Sequence, residues 1–233
     1  MRNINLLLFF LFLAFLVSIP ILNLDNGRSA KSGWNQGPWH LLPFGADSLS
    51  QQYKDRYQML DERPLDSLLQ DSAKPLVMIL VDGWGVPYDE SLLEADFRMI
   101  SGKKVAHAVH KRLFQTTSFA ESIEYGKRFK EGIILACDDS CAVAKLDSLL
   151  ADKSWRKVAW TVRSTREGDR DKLHQLLKEL SDLTTKHPDV QFVIQGTHRP
   201  ILGTPETRRK YLAPWVPAVF VNCEPKKSDA KGN

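Results

Sequence analysis

Three short stretches of the chain carry residue types that could do ester or metal chemistry. Val81-Asp82-Gly83-Trp84-Gly85 ends a continuous apolar run. An Asp leaving a strand, followed by two Gly that allow a sharp turn and close ligand approach, is placed to bind a metal ion. The same residues also make an ordinary Asp-Gly turn with Asp82 capping the next helix. Thr116-Thr117-Ser118 stands just before a stretch with helical spacing. A hydroxyl there is either the helix cap or a nucleophile facing an anion site. Gln195-Gly196-Thr197-His198-Arg199-Pro200 ends another apolar run. A His beside an Arg at a strand end binds a metal or an anionic ester, or simply forms a polar loop.

The elements that must position these residues are legible from hydrophobic spacing. Leu76–Val81, LVMILV, is the mark of a strand buried on both faces. Further strands are expected at 132–136, 158–162, 190–194 and 218–221, and helices at 89–100, 117–130, 142–150 and 169–186. The last of these helices lines up Leu173, Leu176, Leu177, Leu180 and Leu183 on one face. Residues 49–70 have apolar spacing suited to one or two short helices. Strands alternating with helices predict an α/β fold: a doubly wound, mostly parallel sheet with helices on both faces. Ligands in such folds bind at the carboxyl ends of the strands, where all three stretches fall.

In this order the stretches resemble the alkaline-phosphatase superfamily, which includes sulfatases, nucleotide phosphodiesterases and cofactor-independent phosphoglycerate mutases. LVMILVDGWG resembles the family's opening strand, whose Asp binds a divalent metal. Thr116, ten residues before Gly126, matches the nucleophile that starts a helix, with Tyr125 where a Thr usually stands. VIQGTHRP occupies the place of a later Asp-His-Gly, so His198 matches the His while Thr197 replaces the Asp. APWVPAVFV resembles the terminal strand. The likeness covers residues 75–222.

The departures are as informative. The chain has no Asp-x-x-x-His pair, and Arg163-Ser164-Thr165-Arg166 follows the middle strand instead. No His occurs in residues 199–217. The resemblance therefore implies one metal site without matching ligands, and a second reduced to Asp82, Thr116 and His198. One carboxylate, one imidazole and one hydroxyl leave a divalent zinc, manganese or magnesium ion under-coordinated, so no metal is the first expectation. If chemistry survives, Thr116 is the candidate nucleophile, Asp82 and His198 the candidate metal ligands, and Arg199 the candidate stabiliser of charge.

Composition sets the wider frame. The 233 residues carry 32 Lys+Arg against 28 Asp+Glu, a formal charge of +4 with no basic run longer than the three residues 208–210, which speaks against nucleic acid as a partner. Ile4–Leu24 is uncharged over 21 residues, enough to span a bilayer. Residues 1–27 read as a membrane anchor or signal segment, 28–48 as a tether, 49–223 as the α/β domain and 224–233 as a polar tail. The domain is then extracytoplasmic, held at the membrane through residues 4–24. Cys137 and Cys141 could close a small disulfide loop, and Cys223 is left over near the last strand. His107 and His110 could share a helix face, and His174 and His187 fit a solvated face. The leading expectation is a non-catalytic envelope domain that binds a protein or glycan partner. The alternatives are a metal-dependent phosphate- or sulfate-ester hydrolase or transferase, and an unrelated α/β binding module.

Overall fold

The computed structural model describes residues 49–61, 63–69, 74–100, 102, 104–112, 116–125, 132–136, 139–152 and 155–226. The expected anchor, the tether, Cys137 and Gly126 lie outside the described residues. Among those described, no helix is long and apolar enough to cross a membrane.

The elements run α1 (Gln51–Arg56), β1 (Gln58–Leu60), a 3-10 turn (Leu65–Leu68), β2 (Leu76–Val81), α2 (Glu90–Arg98), β3 (Val105–Lys111), α3 (Thr117–Glu124), β4 (Ile133–Leu135), α4 (Asp139–Asp152), β5 (Lys157–Val162), α5 (Arg170–Lys186), β6 (Gln191–Gly196), α6 (Pro205–Arg208) and β7 (Trp215–Val221). The strands form one seven-stranded sheet in the order β1-β3-β7-β6-β2-β5-β4. All pair in parallel except β7, which is antiparallel to both neighbours. This is the expected α/β sheet, with β2 inside it.

Strand β2 is fully buried because both of its faces are covered. Val77, Ile79 and Val81 pack with Leu93 of α2, Leu146 of α4 and Leu177 of α5. Met78 and Leu80 pack on the other side with Leu65, Leu68, Ala120 and Tyr125. Each such side chain contributes about 1.5–3 kcal/mol on leaving water. A strand with apolar residues at every position can satisfy this only in the middle of a two-faced sheet.

Three expected elements differ. Residues 58–60 form a strand between α1 and the 3-10 turn, and residues 105–111 form β3 instead of a helix or loop. In a strand, positions three apart face opposite sides, so His107 and His110 are separated. His107 stacks on Phe97 at 4.5 Å, whereas His110 bonds Gln195. Helix α3 stops at Glu124. Two residues of the expected polar tail make contacts: Pro225 bridges Leu69, and the Lys226 N–H donates to the Leu68 carbonyl.

The loop after β2 lies hard against the end of β6. Gly83 turns with φ +77°, a conformation that side chains disfavour. A Cβ on Gly196 would lie 1.8 Å from the Trp84 carbonyl oxygen. Only a residue without a side chain lets the two strand ends meet. Substituting Gly196→Ala must push them apart and is expected to destabilise the domain by at least about 2 kcal/mol. Urea unfolding of the full-length chain measures it; an unchanged midpoint would contradict this packing.

Candidate functional site

The sheet delivers Asp82 and His198 to one point. Asp82 leaves β2 with its N–H bonded to the Val162 carbonyl at 2.9 Å, and its own carbonyl accepts the Thr165 hydroxyl at 2.7 Å. Thr197, just beyond β6, donates its N–H to the Val81 carbonyl at 3.1 Å. With both backbones fixed, Asp82 Oδ1 and His198 Nε2 lie 3.2 Å apart. Both residues are buried, at 6% and 3% exposure.

The hydroxyl that joins them belongs to Thr117, not Thr116. Thr116 is the N-cap of α3, and its Oγ1 accepts the Phe119 N–H at 3.3 Å. Thr117, the first helical residue, sits 3.2 Å from His198 Nε2 and is 6% exposed. An N-cap side chain is turned back onto its own helix end, so of the two it is Thr117, not the candidate nucleophile Thr116, that faces His198. The Thr-Thr-Ser run carries this ambiguity, and only cap geometry resolves it.

Proton placement follows from the donors. His198 Nδ1 is 2.7 Å from the Arg199 carbonyl oxygen. A carbonyl only accepts, so Nδ1 carries a proton. Nε2 then holds either a lone pair, which accepts from Thr117, or a second proton directed at Asp82. With the lone pair, Nε2 and the Asp82 carboxylate repel each other. Asp82 Oδ1 is buried without a hydrogen-bond partner among the described residues. Asp82 and Thr117 approach the same ring nitrogen. They therefore do not form a Ser-His-Asp relay, which needs the carboxylate on the opposite nitrogen.

The fit to a divalent ion is partial. Two ligands each about 2.1 Å from one ion stand roughly 3.0–3.4 Å apart, as Asp82 and His198 do. A ring N–H held by a backbone carbonyl is also a common support for a metal-bound His. Yet among the described residues no group of three or more His, Cys, Asp and Glu gathers around a point. Thr197 is wholly buried and its hydroxyl has no hydrogen-bond partner, but it adds no charge. Among the described residues, Asp82 and His198 offer two ligands to a single ion. Arg199 contributes its backbone carbonyl to His198 and packs against Gly85, whose added Cβ would meet its Cα at 2.7 Å.

Two buried polar clusters support the site, and neither was expected from residue spacing. Trp84, in the loop after Asp82, donates its ring N–H to Asp96 Oδ2 at 3.1 Å, while Arg170 and His174 hold Asp96 Oδ1 at 2.5 and 2.8 Å. Burial pushes the Asp96 carboxyl up, against the pull of Arg170 and His174. Beneath α3, the buried ion pair Arg112–Glu124 ties the helix to the end of β3, and Glu124 also accepts the Leu65 N–H at 2.9 Å. His174 and His187 are thus not on a merely solvated face: His187 bonds Asp147 at 2.8 Å. Cys223 is buried, its Sγ 3.5 Å from the Phe192 carbonyl oxygen, and burial pushes its thiol up to about 12, which makes it inert.

His110 completes the buried polar layer. Its Nδ1 lies 2.6 Å from Gln195 Oε1. Burial, aided by the Arg112 guanidinium, pushes its imidazolium down from 6.5 to about 3.

No family model matches the chain, and no curated protein matches it in sequence. Among solved structures it is similar to the C-terminal periplasmic domain of EcEptC from Escherichia coli. The two are 9% identical with a TM-score of 0.40, over 70% of this chain and 77% of that one.

The two threonines are separable by experiment. Thr116→Ala removes the α3 cap and is expected to cost about 1 kcal/mol. Thr117→Ala leaves the cap intact but should shift the His198 ring signals in nitrogen-15 NMR, which Thr116→Ala should leave in place. The reverse pattern would return the site hydroxyl to Thr116. His110 predicts an acid response. Below pH 6.5 the unfolded chain protonates this ring, while the folded chain does so only near pH 3. Its contribution is therefore complete above pH 6.5 and is lost as the pH falls, by roughly 1.4 kcal/mol per unit. Urea midpoints at several pH values should fall less steeply in His110→Asn than in the parent; equal slopes would contradict a neutral, buried His110.

Proposed function

We propose that the chain is a membrane-anchored, envelope-facing domain of alkaline-phosphatase-like ancestry that no longer turns over esters and serves as a binding or assembly module. The motif order along residues 75–222 and the mostly parallel sheet support the ancestry. The uncharged Ile4–Leu24 stretch supports the anchor and the extracytoplasmic side.

One observation carries the non-catalytic reading. Among the described residues the one acidic group at the Asp82–His198–Thr117 cluster is Asp82, and all three residues are at most 6% exposed. Phosphoryl or sulfuryl transfer develops charge on attacking and leaving oxygens, and two-metal enzymes stabilise both with ions. A single carboxylate cannot hold two ions. A hydroxyl this deeply covered and bonded to an imidazole does not meet a substrate. Losing one well-placed electrostatic group costs on the order of 10²–10³ in rate, and several are missing.

A second reading has one observation in its favour: the 3.2 Å contact of Thr117 with His198 places a base beside a hydroxyl. The choice is open to assay. The full-length chain is offered phosphate and sulfate monoesters and diesters with zinc, manganese or magnesium. We expect no turnover above that of Thr117→Ala. Metal-dependent turnover that Thr117→Ala abolishes and Thr116→Ala retains would overturn the non-catalytic reading and establish a hydrolase.

A further inference from the structure

The carboxyl edge of the sheet has an outer surface that the buried cluster does not use. The chain from Arg199 to Tyr211 runs along it. The Tyr88 N–H donates to the Lys210 carbonyl and the Leu212 N–H to the Val86 carbonyl, both at 2.8 Å. Residues 199–211 contain Arg199, Arg208, Arg209 and Lys210 against one carboxylate, Glu206. Arg208, Arg209 and Lys210 are exposed. Two large apolar side chains in or beside this segment are open to solvent: Leu202, 59% exposed in the turn closed by the Gly203 N–H to the Pro200 carbonyl, and Tyr88, 55% exposed, whose backbone bonds Lys210. Acidic groups on the adjoining loops are Asp89 and Asp169, engaged as helix caps, and Glu167.

An exposed Leu and Tyr on the same segment as exposed Arg and Lys, or backbone-paired with it, match the layered chemistry of a bilayer interface. Apolar groups enter the acyl boundary, the phenol stays at headgroup depth, and the cations meet lipid phosphates. We propose that the surface formed by Tyr88, Leu202, Arg199, Arg208, Arg209 and Lys210 docks on an anionic lipid bilayer. The excess of cations selects anionic over zwitterionic lipid, and each Lys or Arg near such a surface strengthens binding roughly fivefold. A soluble polyanion would use the cations but leave Leu202 and Tyr88 without a role. This docking goes beyond the proposed function and holds whether or not the cluster beneath is catalytic.

The test is hydrogen–deuterium exchange of the full-length chain with excess vesicles. One set is phosphatidylcholine alone and the other carries about 30 mol% phosphatidylglycerol. On anionic vesicles, amides in residues 199–211 should exchange at least about fivefold more slowly than on zwitterionic ones. The difference should vanish in about 0.5 M salt. It should also vanish in the Arg208→Glu, Arg209→Glu, Lys210→Glu triple variant, and shrink in Leu202→Ser. Peptides from β2 and β6 report that both variants remain folded. Equal exchange on the two lipids would overturn the proposal. So would equal protection by soluble polyphosphate with zwitterionic vesicles, which would assign the surface to a free polyanion.

Discussion

A carboxylate oxygen and an imidazole nitrogen held 3.2 Å apart in the interior dominate this structure. Both residues are almost wholly covered, so an unpaired charge on either would be costly there. A proton shared between them, or a single cation, would offset that cost. The surrounding contacts serve this arrangement. The Arg199 carbonyl fixes one side of the ring, Thr117 faces the other, and Thr165 and the neighbouring strands fix the backbone of Asp82. The choice between proton and ion separates a structural ion pair from the remnant of a metal centre.

That proximity is imposed by backbone packing. Trp84 rides over the end of β6 only because Gly196 has no side chain, and its indole is pinned from outside by Asp96. Asp96 in turn joins α2 to Arg170 and His174 of α5. Below, Arg112 and Glu124 hold α3 so that Thr117 reaches His198. Removing one partner of a buried pair typically costs about 3–5 kcal/mol, so these clusters keep the cluster's geometry even without a bound ion.

Much of this was legible in the sequence where one physical signal dominated. The unbroken LVMILV run admits only an interior strand; Asp82 and His198 lie at strand ends, and the family resemblance of those two stretches is what paired them. The failures have physical causes. Thr116 and Thr117 are identical side chains, and which one caps the helix depends on where the first turn closes. β3 reads VAHAVHK, whose two His at a spacing of three suggest a helix face; the strand is set instead by its pairing with β7. Asp96, Glu124 and their partners come from elements far apart in the chain, a relation that local spacing does not encode.

On the proposed non-catalytic reading the Asp82–His198 pair holds no resident divalent metal. Metal content of the full-length chain, purified without chelators and measured by plasma mass spectrometry, tests it directly. Zinc, manganese and magnesium should each lie well below stoichiometric, on the order of a tenth of an ion per chain or less. A content of about one ion per chain that falls away in Asp82→Asn and His198→Gln would contradict it.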